Sequence, residues 1–227
     1  MIKIQDSNKK IISIGHYKVV NILLSNADKD IFEVQDLKDH SKLYTLRILK
    51  SNQNPKQIDN EIEILNLLNP YKETLYFYKL EIFSDKLLFI FDYISGKNLL
   101  ELCLEDKEVF DLKNLKHFMK SMLRILSIYK DNNILHNNIK PENILFDGKD
   151  FYLIGLSKAQ IDINLDQKSD YYDFISVIYF LVTGKNYEIE YYIPNNIEEN
   201  IFTIFKKVLE NKENITKEEL LGYIDKI

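Results

Sequence analysis

Glycine is missing from the whole stretch between Gly15 and Gly96 of this 227-residue chain. No turn in that stretch can use the one residue that adopts positive φ at no steric cost. Cysteine is almost absent. The single Cys103 excludes an internal disulfide, and no Cys/His spacing reads as a zinc site, so it is expected to be a small buried hydrophobe. Long apolar runs are lacking too. The opening "MIKIQDSNKK" has no signal core, and "FISVIYFLV" (Phe174–Val182) is about half the length that spans a bilayer. There is no basic excess: the net charge is −5 and the pI ≈ 5.5, which argues against a nucleic-acid partner. These absences point to a cytoplasmic protein with no membrane span.

What is present is ordinary globular material, 45% hydrophobic and 29% charged. A chain of this length can bury most of its apolar surface. "YKVVNILL", "DIFEVQDL" and "KLYTLRILK" are rich in β-branched and aromatic residues and separated by polar turns, so they read as strands. "QIDNEIEILNLL" (Gln57–Leu68) puts Ile58, Ile62 and Leu65 on one helical face, and Pro70 stops it. "TLYFYKLEIFSDKLLFIFDYI" reads as two strands joined at Ser84-Asp85, and "SGKN" (Ser95–Asn98) as a turn at a lobe boundary.

Beyond that turn the helical period dominates. Asp111 is placed to cap a helix reaching Lys130, with Leu115, Phe118, Met122, Ile125 and Tyr129 inward. Asp170 to Thr183 is nearly all apolar after Asp173, which predicts a helix buried all round. Ile197, Ile201, Ile204, Phe205, Val208 and Leu209 form another stripe. Thr216 with Glu219 predicts a capping box for the last helix.

The stretch "ILHNNIKPENILFDGKDFYLIGLSKAQ" (Ile134–Gln160) carries the densest motif. His136, Lys140, Pro141 and Asn143 match the order and spacing of the loop H-R-D-x-K-P-x-N. The chain thereby resembles the eukaryotic-type protein kinase superfamily. "YTLRIL" is similar to its V-A-I-K strand, "NEIEILNLL" to the helix that supplies a pairing glutamate (Glu61), "LLFIFDYISGKNLLEL" to its hinge, and "SDYYDFISVIYFLVTGK" to its central buried helix. The resemblance covers about residues 12–227. It implies an α+β, bilobal fold with a small antiparallel-sheet N-lobe holding one helix (about 12–94) and a shortened helical C-lobe (about 95–227).

The departures from the family pattern are systematic. "LSNADKDIF" places Ser25, Ala27 and Asp30 where the family has three phosphate-cradling glycines. In that register Phe32 takes the place of an adenine-contacting valine, and its ring is expected to fill the adenine pocket. Arg47 replaces the strand lysine; an ion pair with Glu61 and a phosphate contact are both open readings. Asn138 replaces the catalytic aspartate, and an amide cannot accept the substrate proton. His136 reads as a core histidine. In "FYLIGLSKA" the magnesium-binding Asp-Phe is either deleted or replaced in place by Leu153 or Ile154, and Asp150 lies too far upstream to serve. Only 14 residues separate Gly155 from Asp170, too few for an activation segment with its A-P-E anchor; Asn214 stands where the anchor's arginine partner is expected.

Losing a proton acceptor costs about 10²–10⁴ in rate. Losing a preorganised electrostatic stabiliser costs about 10²–10³. The resemblance, read with these losses, implies a catalytically impaired kinase-like protein, a pseudokinase acting through another protein as partner. The alternative is a divergent, weakly active Ser/Thr kinase or nucleotidyl transferase. No catalytic set is intact at His136, Asn138, Lys140 and Asn143. A residual nucleotide pocket would comprise Arg47, Glu61, Phe32, Thr45 and Asp92. No cofactor is expected, ATP without efficient magnesium stays open, and Asn143 would touch metal only if ATP–Mg binds.

Overall fold

The strand-like runs pair as an antiparallel sheet whose central strands bury consecutive residues, and hence both faces, at Leu46–Leu49 and Leu88–Phe91. The computed structural model of the protein describes residues 13–50, 54–104, 110–164, 166–187 and 192–227. The chain divides into a first unit, Met1–Asp59 with Leu75–Ser95, and a second, Asn60–Thr74 with Gly96–Ile227.

The first unit holds β1 (Ser13–Ile14), β2 (Tyr17–Ser25), β3 (Lys29–Asp36), β4 (Leu43–Leu49), β5 (Phe77–Phe83) and β6 (Lys86–Asp92), in the order β1-β2-β3-β4-β6-β5. Register shifts in β2 between Val19 and Asn21 and between Ile22 and Leu24 bend that strand. Ser84 and Asp85 both have positive φ (49° and 61°), as a two-residue hairpin turn requires. Tyr17, Phe32, Val34, Leu46, Ile48 and Ile90 pack as one buried cluster of this unit.

Helix α1 (Pro55–Leu68) contains the unit boundary, between Asp59 and Asn60. It starts two residues earlier than the periodicity suggests. Its buried face is Glu61, Ile64, Leu65 and Leu68, whereas Ile58 and Ile62 are half-buried. The second unit continues with β7 (Lys97–Asn98), α2 (Leu99–Leu104), α3 (Leu112–Asp131), β8 (Ile134–Leu135), β9 (Ile144–Phe146), β10 (Phe151–Leu153) and β11 (Gln160–Ile161). Strands β10, β9 and β7 form a three-stranded sheet, and β11 pairs with β8. A side chain on Gly96 would place its Cβ 2.3 Å from the Phe146 carbonyl oxygen, so only glycine lets the chain approach β9 this closely. Cys103, expected to be buried, is half-buried on α2.

Helix α3 begins where Asp111 accepts a bond from the Asn114 amide (2.7 Å), and all five anticipated inward residues are buried. Phe118 meets Phe151 and Phe174 edge-on, with centroids 5.2 and 5.8 Å apart. Helix α4 (Lys168–Thr183) starts before Asp170, with Gln167 at the N-cap and no side-chain cap bond. Asp170 thus lies in the first turn. Helix α5 (Glu199–Phe205) widens into a π turn at Lys206–Glu210, and α6 (Lys217–Ile224) follows. Thr216 Oγ1 accepts from the Glu219 amide at 3.1 Å, but the Glu219 carboxylate turns to Lys207, so only half of the reciprocal capping box forms. The whole is α+β: a sheet unit, then a mainly helical one.

The capping of α3 gives a direct test. Asp111→Ala should lower unfolding free energy by about 1 kcal/mol, with Asp111→Asn retaining most of it. Chemical denaturation of the three chains measures this.

Candidate functional site

The loop between β8 and β9 is organised by one carboxylate. Asp170, fully buried in the first turn of α4, accepts backbone N–H bonds from His136 (Oδ2, 2.8 Å) and Asn137 (Oδ1, 2.8 Å). Burial pushes the Asp170 carboxyl up, against the opposing pull of those two amides. Asn137 has φ +55°, a left-handed conformation that asparagine tolerates better than most residues. His136 is fully buried, and its Nε2 donates to the Ile154 carbonyl at 3.0 Å. Its Nδ1 is buried with no hydrogen-bond partner among the described residues, and Tyr129 lies 5.8 Å away, centroid to centroid. Burial drives the His136 pKa down to about 4, the Ile154 contact opposing. His136 is a core histidine.

The next residues satisfy one another. Asn143 Nδ2 donates to the Asn138 carbonyl (2.8 Å), and Asn138 Nδ2 donates weakly to the Gly155 carbonyl (3.4 Å). The Ile154 amide donates to the Asn143 carbonyl at 2.9 Å. Gly155 has φ +86°, and a Cβ there would come within 2.7 Å of Asn143 Oδ1. Lys140 is half-exposed, with its ammonium 3.9 Å from Glu142. Leu153 is buried and bridges to Thr74, while Asp150 belongs to the turn that Asp147 holds through the Lys149 and Asp150 amides (2.8 and 2.7 Å).

In the first unit the three residues at the glycine positions form a latched turn. Asp30 is buried against Lys50 (2.6 Å) and the Ser25 hydroxyl (2.7 Å). Asn26 Oδ1 accepts both the Asp28 and Lys29 amides at 3.0 Å, and Lys50 donates to the Asn26 carbonyl at 2.9 Å. Amides that a phosphate-binding loop would leave available are engaged inside the turn.

The proposed pocket residues do not all come together. Thr45 pairs with Phe91 and Glu33, and Arg47 with Phe89 and Ile31, so these share one face of the sheet. Arg47 is buried with its guanidinium 4.1 Å from the Phe89 ring centroid. Phe32 pairs with Leu46 and Asp92 with Tyr44, which puts both on the opposite face. Phe32 therefore does not fill an adenine pocket; it packs in the sheet core, 4% exposed. Asp92 is exposed and accepts from the Tyr78 hydroxyl at 2.8 Å. Glu61 is buried in the second unit's part of α1.

Glu33 was not anticipated. It is a buried carboxylate on the Thr45 face, bonded by Asn21 Nδ2 at 2.5 Å. Tyr93 also hydrogen-bonds it, and burial followed by the Glu33 charge pushes the Tyr93 phenol up. An acid among the apolar residues of "DIFEV" was the available signal.

Residues 8–158 match the protein kinase domain family. The chain belongs to that family, and its α+β architecture is the two-lobed kinase-like fold. It is 24% identical over 173 residues to a probable serine/threonine-protein kinase of Dictyostelium discoideum, covering 72% of this chain and 36% of that protein. It is 26% identical over 234 residues to the serine/threonine-protein kinase Sgk1 of Xenopus tropicalis, covering 91% of this chain and 53% of that one. A shorter match, 32% over 91 residues, is to the MAP kinase kinase kinase wis4 of Schizosaccharomyces pombe and covers 40% of this chain and 6% of that protein. The chain thus spans from about a third to about half of the length of the first two. No helix among the described residues is long and apolar enough to cross a membrane.

Two outcomes follow. Unfolded, His136 binds a proton near pH 6.5; folded, it stays neutral to about pH 4. As pH falls below 6.5 the unfolded state takes up the proton first, so stability drops, by roughly 2 kcal/mol at pH 5. Denaturation at pH 7 and 5 should show this loss, and His136→Asn should flatten it. Phe32→Val should destabilise the fold by on the order of 2 kcal/mol through a core cavity, without creating nucleotide affinity; melting curves with and without ATP test both halves.

Proposed function

We propose that this chain is a kinase-like interaction module, a pseudokinase, that does not sustain efficient phosphoryl transfer and acts in the cytoplasm on another protein. The observation that carries the reading is the mutual engagement of Asn138, Asn143 and Gly155. Where an active loop offers a carboxylate to the substrate hydroxyl, this one offers an amide turned onto a backbone carbonyl. Asn143, the remaining candidate ligand of the motif, donates its Nδ2 to the same loop, and the metal-binding acid is either deleted or replaced in place by Leu153 or Ile154. One amide oxygen with no carboxylate does not fit magnesium, which is held by carboxylates and phosphate oxygens. The latched turn at Asn26 and Asp30 supports the same reading, since the Asp28 and Lys29 amides are already bonded to Asn26 and Lys50 is already paired with Asp30, so none of them is offered to a triphosphate. Asp170 and the bonds of Asn143 to Asn138 and of Asn138 to Gly155 hold the loop's shape without any chemistry.

The second reading, a weakly active serine/threonine kinase or nucleotidyl transferase, has one observation in its favour. Lys140 keeps a half-exposed ammonium only loosely associated with Glu142.

The purified chain, incubated with radiolabelled ATP and magnesium or manganese, should transfer no label to itself or to a generic protein substrate. It should also show no metal-dependent thermal shift at millimolar ATP. Label transfer abolished by Asn138→Ala would falsify the first reading and establish the second. Asn138→Asp alone should not restore transfer, because the metal-binding acid is still missing.

A further inference from the structure

The first unit carries an aromatic cluster that its core does not absorb. Tyr44 stands opposite Asp92 in the β4–β6 register, the Asp92 amide donates to the Tyr76 carbonyl at 3.0 Å, and the Tyr78 hydroxyl donates to Asp92 Oδ1 at 2.8 Å. Three tyrosines thus meet around one carboxylate. Tyr44 and Tyr78 have ring centroids 5.0 Å apart with planes at 85°, and Tyr76 and Tyr78 are 4.8 Å apart at 72°. Such edge-to-face pairs lock each ring against the next while leaving ring surface uncovered. Tyr76 is 43% exposed and Tyr78 41%, and Asp92 is exposed beside them, so a ligand can reach all three. The bond to Asp92, followed by burial, pushes the Tyr78 phenol up to about 12, so it stays a donor to that carboxylate.

The chemistry of the cluster sets the charge of its ligand. An aromatic face attracts a cation through its quadrupole, and a carboxylate at the ring edge adds a full counter-charge. No lysine or arginine among the described residues stands over the Tyr44, Tyr76 or Tyr78 ring. Asp92 has no ion pair among the described residues, and its Oδ2 accepts no hydrogen bond from them. A second carboxylate lies along the same face. Asp36 pairs in register with Tyr17, whose ring meets Tyr44 at 6.2 Å and 77°, and it accepts the Lys38 amide at 2.8 Å with no ion pair among the described residues. Lys79, near Tyr17, is already paired with Glu81 at 2.6 Å. Two carboxylates without a cation therefore flank exposed rings without a cation.

We propose that the cluster of Tyr44, Tyr76, Tyr78 and Asp92 docks an arginine of an extended basic segment in a partner protein. The guanidinium plane lies against the open ring surface of Tyr76 and Tyr78, its N–H groups reach Asp92 Oδ2, and a second basic residue of the segment lies toward Asp36. Arginine suits this surface better than lysine, because its flat, weakly hydrated group stacks on a ring and bonds a carboxylate at once. This gives the interaction reading above a surface and rests on that reading for its biological sense. Its geometry is independent of whether the chain transfers phosphate.

The test is a titration of the full ¹⁵N-labelled chain with blocked Gly/Ser peptides that carry two arginines, two lysines or two citrullines, the last keeping arginine's shape without its charge. The arginine peptide should shift the backbone signals of Tyr44, Tyr76, Tyr78 and Asp92. The lysine peptide should need a higher concentration for the same shift, and the citrulline peptide should give none. Tyr76→Ala and Asp92→Asn should each raise the half-saturating concentration of the arginine peptide by about threefold or more with an otherwise unchanged spectrum, whereas Tyr76→Phe, which keeps the ring, should leave it unchanged. Both side chains are exposed, so these variants fold. Equal shifts from the citrulline or lysine peptide, no shift at these residues at millimolar concentration, or full binding by Tyr76→Ala each overturn the proposal. Label transfer in the phosphotransfer assay together with arginine-specific shifts would remove the pseudokinase reading and leave this one standing; neither transfer nor shifts would do the reverse.

Discussion

A single buried carboxylate holds the loop on which every functional argument turns. Asp170 sits in the first turn of the most apolar helix and takes two backbone amides from His136 and Asn137. Hydrogen bonds to a charged group contribute about 1.5–3 kcal/mol each, and a buried carboxylate stripped of them would be strongly unfavourable. The pair also fixes Asn137 in its left-handed conformation, which sends Asn138 toward Gly155 and turns the His136 ring inward onto the Ile154 carbonyl. The loop's shape is therefore a property of packing and backbone bonding. It does not depend on an acid at position 138.

The same economy governs the two segments most altered from the family pattern. In the β2–β3 turn, Asn26 Oδ1 takes the Asp28 and Lys29 amides and Asp30 pairs with Lys50. In the loop after β8, Asn138 and Asn143 close on the chain itself. Polar groups withdrawn from solvent must find partners, and here they find them within the same unit of the chain. Gln167 Oε1 and His136 Nδ1 are exceptions among the described residues. Both atoms are sealed from solvent.

Legibility from sequence varied with the kind of pattern. Helix α3 was readable to within a residue or so because a capping aspartate and a 3.6-residue apolar stripe agree. In α4 the polar first turn, Lys168 and Ser169, carried no such signal, and its start was placed two residues late. The hairpin at Ser84-Asp85 was visible from turn chemistry between two apolar runs. Phe32, Asp92 and Glu33 were not. In a strand the side-chain period is two, so a one-residue difference in the assumed register exchanges the faces. The absence of glycine landmarks near "LSNADKDIF" left that register open, and only the pairing of Phe32 with Leu46 and of Glu33 with Thr45 decided it.

The sequence by itself determined the order of elements, the kinase-like loop motif and the loss of its acid, because these depend on residue type and on spacing along the chain. The tertiary contacts settle which side of the sheet each strand residue occupies, that Asn143 bonds the Asn138 carbonyl while Asn138 bonds Gly155, and that Asp170 reaches the His136 and Asn137 amides. Those facts depend on distances between residues far apart in the chain, and local propensity contains no information about them.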